Sequence, residues 1–414
     1  MKLRRKAELH VVRDEEEIMI NKLLSELRDE DKTSEELDEQ IKEKRRQAKK
    51  KTLLITIGAA VACIAIFLLV YLQTYTSANT VTSYHTEESS NNGYRQFSNG
   101  VLKYSRDGIA YLNRKSEEIW NYPYQIKNPF VETYKETAIV ADKGGNYILV
   151  FDDEGVKGEI QTSLPIEKVS VSEQGIVSVL LKNENSPQIV CYDAAGNLLV
   201  ELKTAFSGTG YPMDISISED GTLLLVTYMS IVAGNMMTKV VYYDFSGENT
   251  ATKEYEAVTD TYEGMLAPSA FFMNESLSVV VGDDRLLFYK GKEKPELSVT
   301  VELEKEIKSV FHSEKYVGLI LKNEGKAGYE LCLYNTSGRK VLSEDFTGDY
   351  TNVKIDGGQV LMYDGKKCSV FTHTGIHRFE GEIQSNILEI FPTSGVNKYI
   401  VMSENGMEIV RFVK

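Results

Sequence analysis

Histidine, which serves in both catalysis and metal binding, is rare in the part of the chain after residue 72. Four occur there, namely His85, His312, His373 and His377. The last two are four residues apart across an expected turn, where two imidazoles could share one metal ion. Because no third ligand stands near them in the sequence, we expect both rings to face water, and we predict no metal site and no cofactor.

The remaining polar residues do not form a familiar catalytic motif. The sequence has no Gly-x-Ser-x-Gly elbow, no His-Glu-x-x-His and no phosphate-cradling glycine loop. Asp152-Asp153-Glu154 and Asp283-Asp284 are acidic turns with fewer regularly spaced oxygens than a calcium loop needs. These absences favour a binding protein over an enzyme, and a catalytic pair assembled from distant segments stays open.

The elements that must position these residues repeat with a period near forty residues beyond residue 90, which indicates stacked or radial units. One recurring pattern is a turn followed by an apolar strand, as in Glu219-Asp220-Gly221 before TLLLVT, and it occurs eight times. A second is an apolar strand ending in an aromatic and a small polar residue, then glycine after a gap of two, as in IVCYDAAG up to Gly196. Asp or Asn shortly before Gly is turn chemistry, so each unit is predicted to be an antiparallel meander of strands A to D.

A four-stranded unit cannot bury both faces alone, and repeated units without helices bury them by packing around an axis. We therefore predict an all-β fold, a β-propeller of eight blades over residues 94–414, with seven blades as the alternative. The last unit ends after its third strand. A strand from Asn79 to His85, within a linker over 75–93, is predicted to supply the missing outer strand and close the ring.

An uncharged segment of twenty residues runs from Leu53 to Leu72, the length that crosses a hydrocarbon core of roughly 30 Å. We predict one transmembrane helix over 52–74. Seven Lys and Arg residues lie from Lys42 to Lys51 and none from 73 to 80, which places the N-terminus in the cytoplasm. The expected location is the plasma membrane, single-pass, with the C-terminal domain outside. A cleaved signal peptide has a shorter charged region and a shorter apolar core.

Residues 1–51 are predicted to form a cytoplasmic tail that is partly helical. Ile20, Leu23, Leu24 and Leu27 share one face of a segment from Asp14 to Asp31. Thr33 to Glu36 offers a capping box for a second helix that continues into the membrane. The tail is either a docking helix for a partner or a solvated topology signal.

The part of the chain after residue 51 carries 47 acidic and 32 basic side chains. This negative balance argues against nucleic acid as a partner. Cys191, Cys332 and Cys368 are an odd number within apolar runs, so we expect buried thiols and no disulfide framework.

The repeats also resemble known sequences. The first unit, DGIAYLNRKSEEIWNYPYQIKNP from Asp107 to Pro129, resembles the propeller repeat of the pyrroloquinoline-quinone type. The region 94–414 resembles an uncharacterised bacterial membrane family known as domain of unknown function 5711, which implies a Gram-positive cell-surface propeller with no assigned activity. Trp120 is the only tryptophan, so the repeated tryptophan docking of quinoprotein enzymes, and their quinone, are not expected.

Three long connections are predicted to meet on one face of the propeller, because the D–A and B–C connections emerge at the same end. They are 205–211, 229–237 and 258–268. Their apolar and aromatic side chains either bind a ligand or partner, or merely pack the loops against the blade. These candidate residues are Phe206, Tyr211, Met229, Ile231, Met236, Met237, Tyr262, Met265 and Leu266.

We therefore expect a membrane-anchored binding or scaffold module for an unknown protein, peptide or cell-wall polymer. The alternative is a hydrolase or lyase that acts on extracellular glycan, with acidic residues from several blades meeting at the central channel. A structural spacer is a third possibility.

Overall fold

The computed structural model of this chain describes residues 18, 20–22, 34–85, 92–184, 186–205, 208–247, 255–395 and 397–414. The chain divides into two compact units, Met1–Gln73 and Thr74–Lys414. Each is described by itself below.

The first unit contains one long helix, α1, Ser34–Tyr71. Its stretch Lys42–Leu69 is long and apolar enough to cross a membrane. The hydroxyl of Thr56 donates to the carbonyl oxygens of Thr52 and Leu53 inside the helix, which satisfies this polar group without a partner from elsewhere. The helix predicted from Asp14 to Asp31 lies outside the described residues, apart from helical residues 18 and 20–22, and so does Thr33 of the predicted capping box.

The second unit consists of eight antiparallel sheets of four strands each. The prediction of an eight-bladed propeller is confirmed, and the seven-bladed alternative is wrong. The first strand, β1, is Ser77–His85. Blade 1 contains β2 Gly93–Phe97, β3 Gly100–Tyr104, β4 Gly108–Leu112 and β5 Glu118–Pro123. Blade 2 contains β6 Pro129–Tyr134, β7 Thr137–Asp142, β8 Tyr147–Asp152 and β9 Gly155–Gln161.

The next three blades follow the same order. Blade 3 contains β10 Ile166–Val171, β11 Val177–Leu181, β12 Gln188–Tyr192 and β13 Leu198–Lys203. Blade 4 contains β14 Tyr211–Ile217, β15 Leu223–Val232, β16 Asn235–Asp244 and β17 Glu256–Glu263. Blade 5 contains β18 Ser269–Asn274, β19 Leu277–Val281, β20 Arg285–Lys290 and β21 Glu296–Glu302.

The last three blades complete the ring. Blade 6 contains β22 Ile307–His312, β23 Tyr316–Lys322, β24 Tyr329–Asn335 and β25 Lys340–Phe346. Blade 7 contains β26 Asn352–Asp356, β27 Gln359–Asp364, β28 Lys367–Thr372 and β29 His377–Glu382. Blade 8 contains β30 Glu389–Pro392, β31 Lys398–Ser403 and β32 Gly406–Val413, with β1 paired antiparallel to β32 as its outer strand.

The first strand of each blade is the inner strand, and contacts pass from β2 through β6, β10 and β14 to β18, while β30 contacts β2. An apolar cluster fills every junction between consecutive blades. At the junction of blades 8 and 1, for example, Phe391 and Met407 pack with Tyr94 and Val101. Because each middle strand is covered on both faces, β11 and β19 are buried along their whole length.

The turn glycines of the second sequence pattern serve the contact between blades. Gly196 ends the C–D turn of blade 3 with a φ of 89°. A Cβ at this position would lie 2.3 Å from the carbonyl oxygen of Glu159 on the outer strand of blade 2. The left-handed conformation and this close approach both require glycine. The glycine of the repeat therefore allows the outer strand of one blade to pack against the C–D turn of the next blade.

The connections define two ends of the propeller. The end with the D–A and B–C connections, called the hairpin face, carries residues 204, 205, 208–210, 233, 234 and 264–268. The end with the A–B and C–D turns is called the turn face. Tyr75 donates its backbone N–H to Arg378 at the start of β29, and Thr76 donates to Val413 at the end of β32. The propeller unit therefore begins at the turn face.

Candidate functional site

The B–C connection of blade 4 is a hairpin that extends beyond its neighbouring strands. Pairing with β14 ends at Met229 and pairing with β17 ends at Met237, whereas β15 and β16 stay paired to Val232 and Asn235. The turn residues Ala233 and Gly234 have φ angles of 52° and 89°, the conformation of a tight type I′ turn. The prediction of a loop over 229–237 is therefore wrong, because the two apolar segments pair directly with each other.

The three predicted connections do contact one another. Tyr211, at the end of the first connection, pairs with Met229, at the start of the second, and the backbone N–H of Gly264 donates to the carbonyl oxygen of Met236 at 2.9 Å. Further along β16, the Lys239 ammonium donates to the carbonyl oxygen of Gly208 at 3.2 Å. Residues 258–263 belong to β17, so only 264–268 of the third predicted loop is a connection. The hairpin is thus supported on both sides at its base.

The candidate residues on the hairpin differ in exposure. Ile231 is 69% exposed, and Val232, which the sequence reasoning did not select, is 56% exposed. Met229, Met236 and Met237 are half-buried. The hairpin therefore presents two adjacent aliphatic side chains to solvent at its tip.

The remaining candidate side chains are mostly buried or held by hydrogen bonds within the propeller. The hydroxyl of Tyr211, on β14, donates to a carboxylate oxygen of Glu167 at 3.1 Å, and burial followed by the Glu167 charge raises the pKa of Tyr211. Tyr262 lies on β17, and its hydroxyl is 2.6 Å from that of Tyr289. Met265 is fully buried in the core between blades 4 and 5, so its prediction as a surface contact is wrong: the chain turns inward after Gly264.

Two further candidates complete the predicted set. Leu266 is half-buried, and its backbone N–H donates to Asp283 at 2.9 Å. Phe206 lies outside the described residues. The exposed part of the predicted site is therefore the hairpin tip.

The inner strands place charges of alternating sign around the central channel. The residues, in order of blades 1, 2, 3, 4, 7 and 8, are Arg95, Glu132, Lys168, Asp214, Lys354 and Glu389. Lys168 and Asp214 are 2.7 Å apart, and Lys354 and Glu389 are 2.6 Å apart. Each cation thus precedes an anion on the next blade.

Two of these carboxyl groups hold protons more tightly than usual. Burial raises the pKa of Glu132, the Asp214 charge adds to this effect, and Arg95 opposes it. Burial likewise raises the pKa of Asp214, against the effect of Lys168. Solvent reaches Glu132 although protein surrounds it on most sides, as expected for a group in a narrow water-filled channel.

The two histidines considered as metal ligands are held separately. His373 stacks on Tyr316 with ring centroids 5.5 Å apart, and its Nδ1 lies 3.1 Å from the carbonyl oxygen of Gly358. His377 stacks on Phe371 at 4.1 Å. Both are half-buried, so the expectation that the rings simply face water is wrong. Across the described ranges, no group of three or more His, Cys, Asp or Glu residues could hold a metal ion.

Residues 71–412 match the model of a family of unknown function, DUF5711. The chain belongs to DUF5711. No curated protein matches its sequence.

Solved structures share the propeller fold at low sequence identity. BamB from Moraxella catarrhalis is 12% identical with a TM-score of 0.50, and the match covers 81% of this chain and all of that one. The Neurospora crassa Pan2 WD40 domain is 8% identical, with a TM-score of 0.43 and coverage of 69% and 90%. Kluyveromyces lactis Hsv2p is 10% identical, with a TM-score of 0.46 and coverage of 68% and 93%. At 12% identity the likeness to BamB shows the fold alone.

The DUF5711 propeller also has clefts between its outer strands, which widen away from the axis. A groove of about 950 Å³ separates blades 3 and 4. Leu198 and Leu199, which are 59% and 49% exposed, line it. A smaller cavity of about 350 Å³ lies between blades 6 and 7 and contains His377.

The sequence analysis expected acidic residues from several blades at the channel without naming them, and it missed the cleft between blades 6 and 7. Glu132 within PFVETY and Asp214 within YPMDISI are acidic residues inside apolar inner strands, a signal that could have found the channel charges. The cleft has no such signal, because its walls come from different blades that only the packing of the ring brings together.

Proposed function

We propose that this DUF5711 chain is a membrane-anchored module that binds a protein partner outside the cytoplasm through the tip of the blade 4 hairpin. The observation that carries the proposal is the extension of β15 and β16 beyond their neighbours, with Ile231 and Val232 exposed at the end. A cell-wall polymer is less suited to this contact, since the tip offers apolar side chains.

The geometry of the tip favours binding. Complete burial of one aliphatic side chain of this size contributes about 1.5–3 kcal/mol. A hairpin closed by a tight turn loses little conformational entropy when it docks. The contact of Lys239 with Gly208 and that of Gly264 with Met236 support its base. The tip is therefore suited to enter an apolar pocket of a partner.

The place of the hairpin within the propeller unit is compatible with this role. The propeller begins at the turn face, and the hairpin extends from the other end of the same unit. The seven basic residues between Lys42 and Lys51 favour a cytoplasmic N-terminus. In the proposed topology α1 spans the plasma membrane and the propeller lies outside.

The test is a crosslinking pull-down from intact cells with the full-length chain as bait. The variant Ile231→Asn/Val232→Asn keeps the turn residues and removes the apolar tip. The control Leu198→Asn/Leu199→Asn changes two comparably exposed aliphatic residues in the groove between blades 3 and 4. A protein partner lost from the first variant and retained by the second supports the proposal. A partner retained by both, or lost only in the control, contradicts it.

A second candidate is glycan hydrolysis or cleavage in the channel. Glu132 and Asp214 favour it, because they lie on inner strands that line the channel and glycosidases act with two carboxyl groups, one an acid of raised pKa, here Glu132, and the other ionised, here Asp214 beside Lys168. The test is turnover of purified cell-wall glycan by the full-length chain. Turnover that is lost in Glu132→Gln and kept in Glu117→Gln, an exposed turn residue of blade 1, would support an enzyme; the absence of turnover would reject it.

A further inference from the structure

The cavity between blades 6 and 7 is separate from the hairpin and from the channel. Its volume is about 350 Å³, large enough for a side chain or a small ligand. One wall comes from the end of β25 and the segment after it, and the other from β28 and β29. The residues that matter here are Glu344, Phe346, Tyr350, Ser369, His377 and Glu380.

The floor of this cavity is polar and hydrogen-bonded. Ser369 is 2% exposed, and its Oγ lies 2.9 Å from Nε2 of His377. The His377 ring is parallel to that of Phe371, with an interplanar angle of 4°. Burial lowers the pKa of His377, although Glu380 and Glu344 oppose this shift. His377 is therefore neutral at pH 7 and adds no positive charge to the cavity.

Two carboxylates of the cavity have no basic partner. Glu344 and Glu380 line the same cavity as His377, and the charges of both act on its pKa. Among the residues that the structure describes, neither is paired with a lysine or arginine, and Glu380 lies 3.9 Å from Nε2 of the neutral His377. Lys326, the lysine of the cavity wall, is 2.5 Å from Asp345, which neutralises it. The cavity is therefore negative overall.

Aromatic rings complete the wall. The centroids of Phe346 and Tyr350 are 6.1 Å apart. Tyr329 lies 5.8 Å from Phe346 and already has the ammonium of Lys308 4.2 Å from its centroid. Aromatic faces attract ammonium groups, most strongly where water is partly excluded.

From this combination we propose that the cavity binds a primary ammonium group, such as that of a lysine side chain in a peptide. Glu344 and Glu380 supply the opposite charge, Phe346 and Tyr350 contact the methylene groups, and the Ser369–His377 pair accepts or donates at the floor. The site does not depend on the hairpin contact.

The test uses the full-length chain in nanodiscs and saturation-transfer NMR with N-acetyl-lysine methylamide. The same compound acetylated on its ε-amine is the neutral control, and putrescine distinguishes a free amine from a peptide side chain. We expect the charged lysine probe to bind at least tenfold more tightly than its acetylated form. Binding by putrescine alone would assign the site to free amines and overturn the lysine side chain as its ligand.

The variant Glu344→Gln/Glu380→Gln removes both charges while keeping side-chain shape. Its control, Glu296→Gln/Glu304→Gln, changes the net charge equally at two exposed positions outside the cavity. Binding should fall at least tenfold in the first variant and stay within twofold of the native value in the second. The proposal is overturned if the native chain binds neither amine at millimolar concentration, or if both variants bind equally.

Discussion

The ammonium of Lys168 lies 2.7 Å from Oδ1 of Asp214, so an ion pair joins the inner strands of blades 3 and 4. The other oxygen of the same carboxylate accepts the backbone N–H of Ala270 on the inner strand of blade 5 at 2.9 Å. Asp214 therefore connects three consecutive blades. Burial raises its pKa even with these partners, because the surrounding strands keep water away from the carboxylate.

Replacing Asp214 by Ala should lower the free energy of unfolding by about 2–4 kcal/mol, because it leaves the Lys168 ammonium and the Ala270 N–H without their acceptor. Urea denaturation of the full-length chain measures this change. Asp153→Ala, at an exposed turn position, is the control and should alter stability by less than about 0.5 kcal/mol. Equal effects of the two substitutions would show that Asp214 is not a structural connection.

Much of the fold was predictable from sequence because the turn chemistry repeats. Each turn before strand B and each glycine after strand C marks the same place in a blade, so eight copies predict eight blades. The hairpin was predicted to be a loop, because a segment that extends beyond the neighbouring strands usually is one. Residues 230–236 have no neighbouring strand but remain paired with each other.

The site was less predictable because side-chain exposure depends on packing around the ring. Met265 and Ile231 both stand in apolar connections, yet Met265 fills the junction of blades 4 and 5 while Ile231 projects into solvent. Glu344 and Glu380 come from different blades. A local sequence pattern contains no information about which side chains of different blades lie close together.

Gly196 and Gly144 provide a matched test of the contact between blades. Both have positive φ angles, 89° and 79°, but a Cβ at Gly144 would meet no atom within 4 Å. Gly144→Ala should cost about 1 kcal/mol from backbone strain alone. Gly196→Ala adds a collision with the Glu159 carbonyl oxygen and should cost about 2–4 kcal/mol. Thermal unfolding of both variants measures the difference, and equal costs would contradict a close contact at Gly196.

Trp120 joins blades 1 and 2 by stacking on Phe151 and by donating its indole N–H to the carbonyl oxygen of Asp153 at 3.0 Å. Trp120→Phe keeps a ring and loses the hydrogen bond, so we expect a cost of about 1 kcal/mol. Trp120→Ala also loses the stacked ring and should cost about 3 kcal/mol. Circular dichroism during thermal unfolding is the suitable measurement, because Trp120 is the only tryptophan. The ranking would be contradicted if the Phe variant were as unstable as the Ala variant.

His312 should make the protein less stable in weak acid. Its ring is stacked 3.8 Å from that of Phe271, and although part of the side chain reaches solvent, the protein packed around the ring lowers its pKa to about 4. The unfolded chain binds this proton near pH 6.5, so the contribution of His312 to stability is full above pH 6.5 and is lost as the pH falls toward 4. His377, whose pKa burial also lowers, acts in the same direction.

His312→Phe keeps the stacked pair and removes the titrating group. We therefore expect its unfolding temperature to fall less than that of the native chain between pH 6.5 and 4.5, with similar values for both at pH 8. Parallel thermal unfolding series at constant ionic strength test this. Identical pH dependence of the two proteins would show that His312 protonates without cost.

Closure of the ring depends on β1. Its residues pair with β32 along nearly the whole strand, from Ser77 opposite Val413 to His85 opposite Gly406. A chain that begins at Asn92 would leave blade 8 with three strands. The exposed edge of β32 would then favour aggregation. A chain that begins at Thr74 keeps β1.

We expect the shorter chain to unfold at a temperature about 10 °C lower or to be insoluble, and addition of a peptide covering 74–85 to restore stability in part. A scrambled peptide is the control. Equal unfolding temperatures for the two chains would mean that the contacts of β30 with β2 are enough to hold the ring closed.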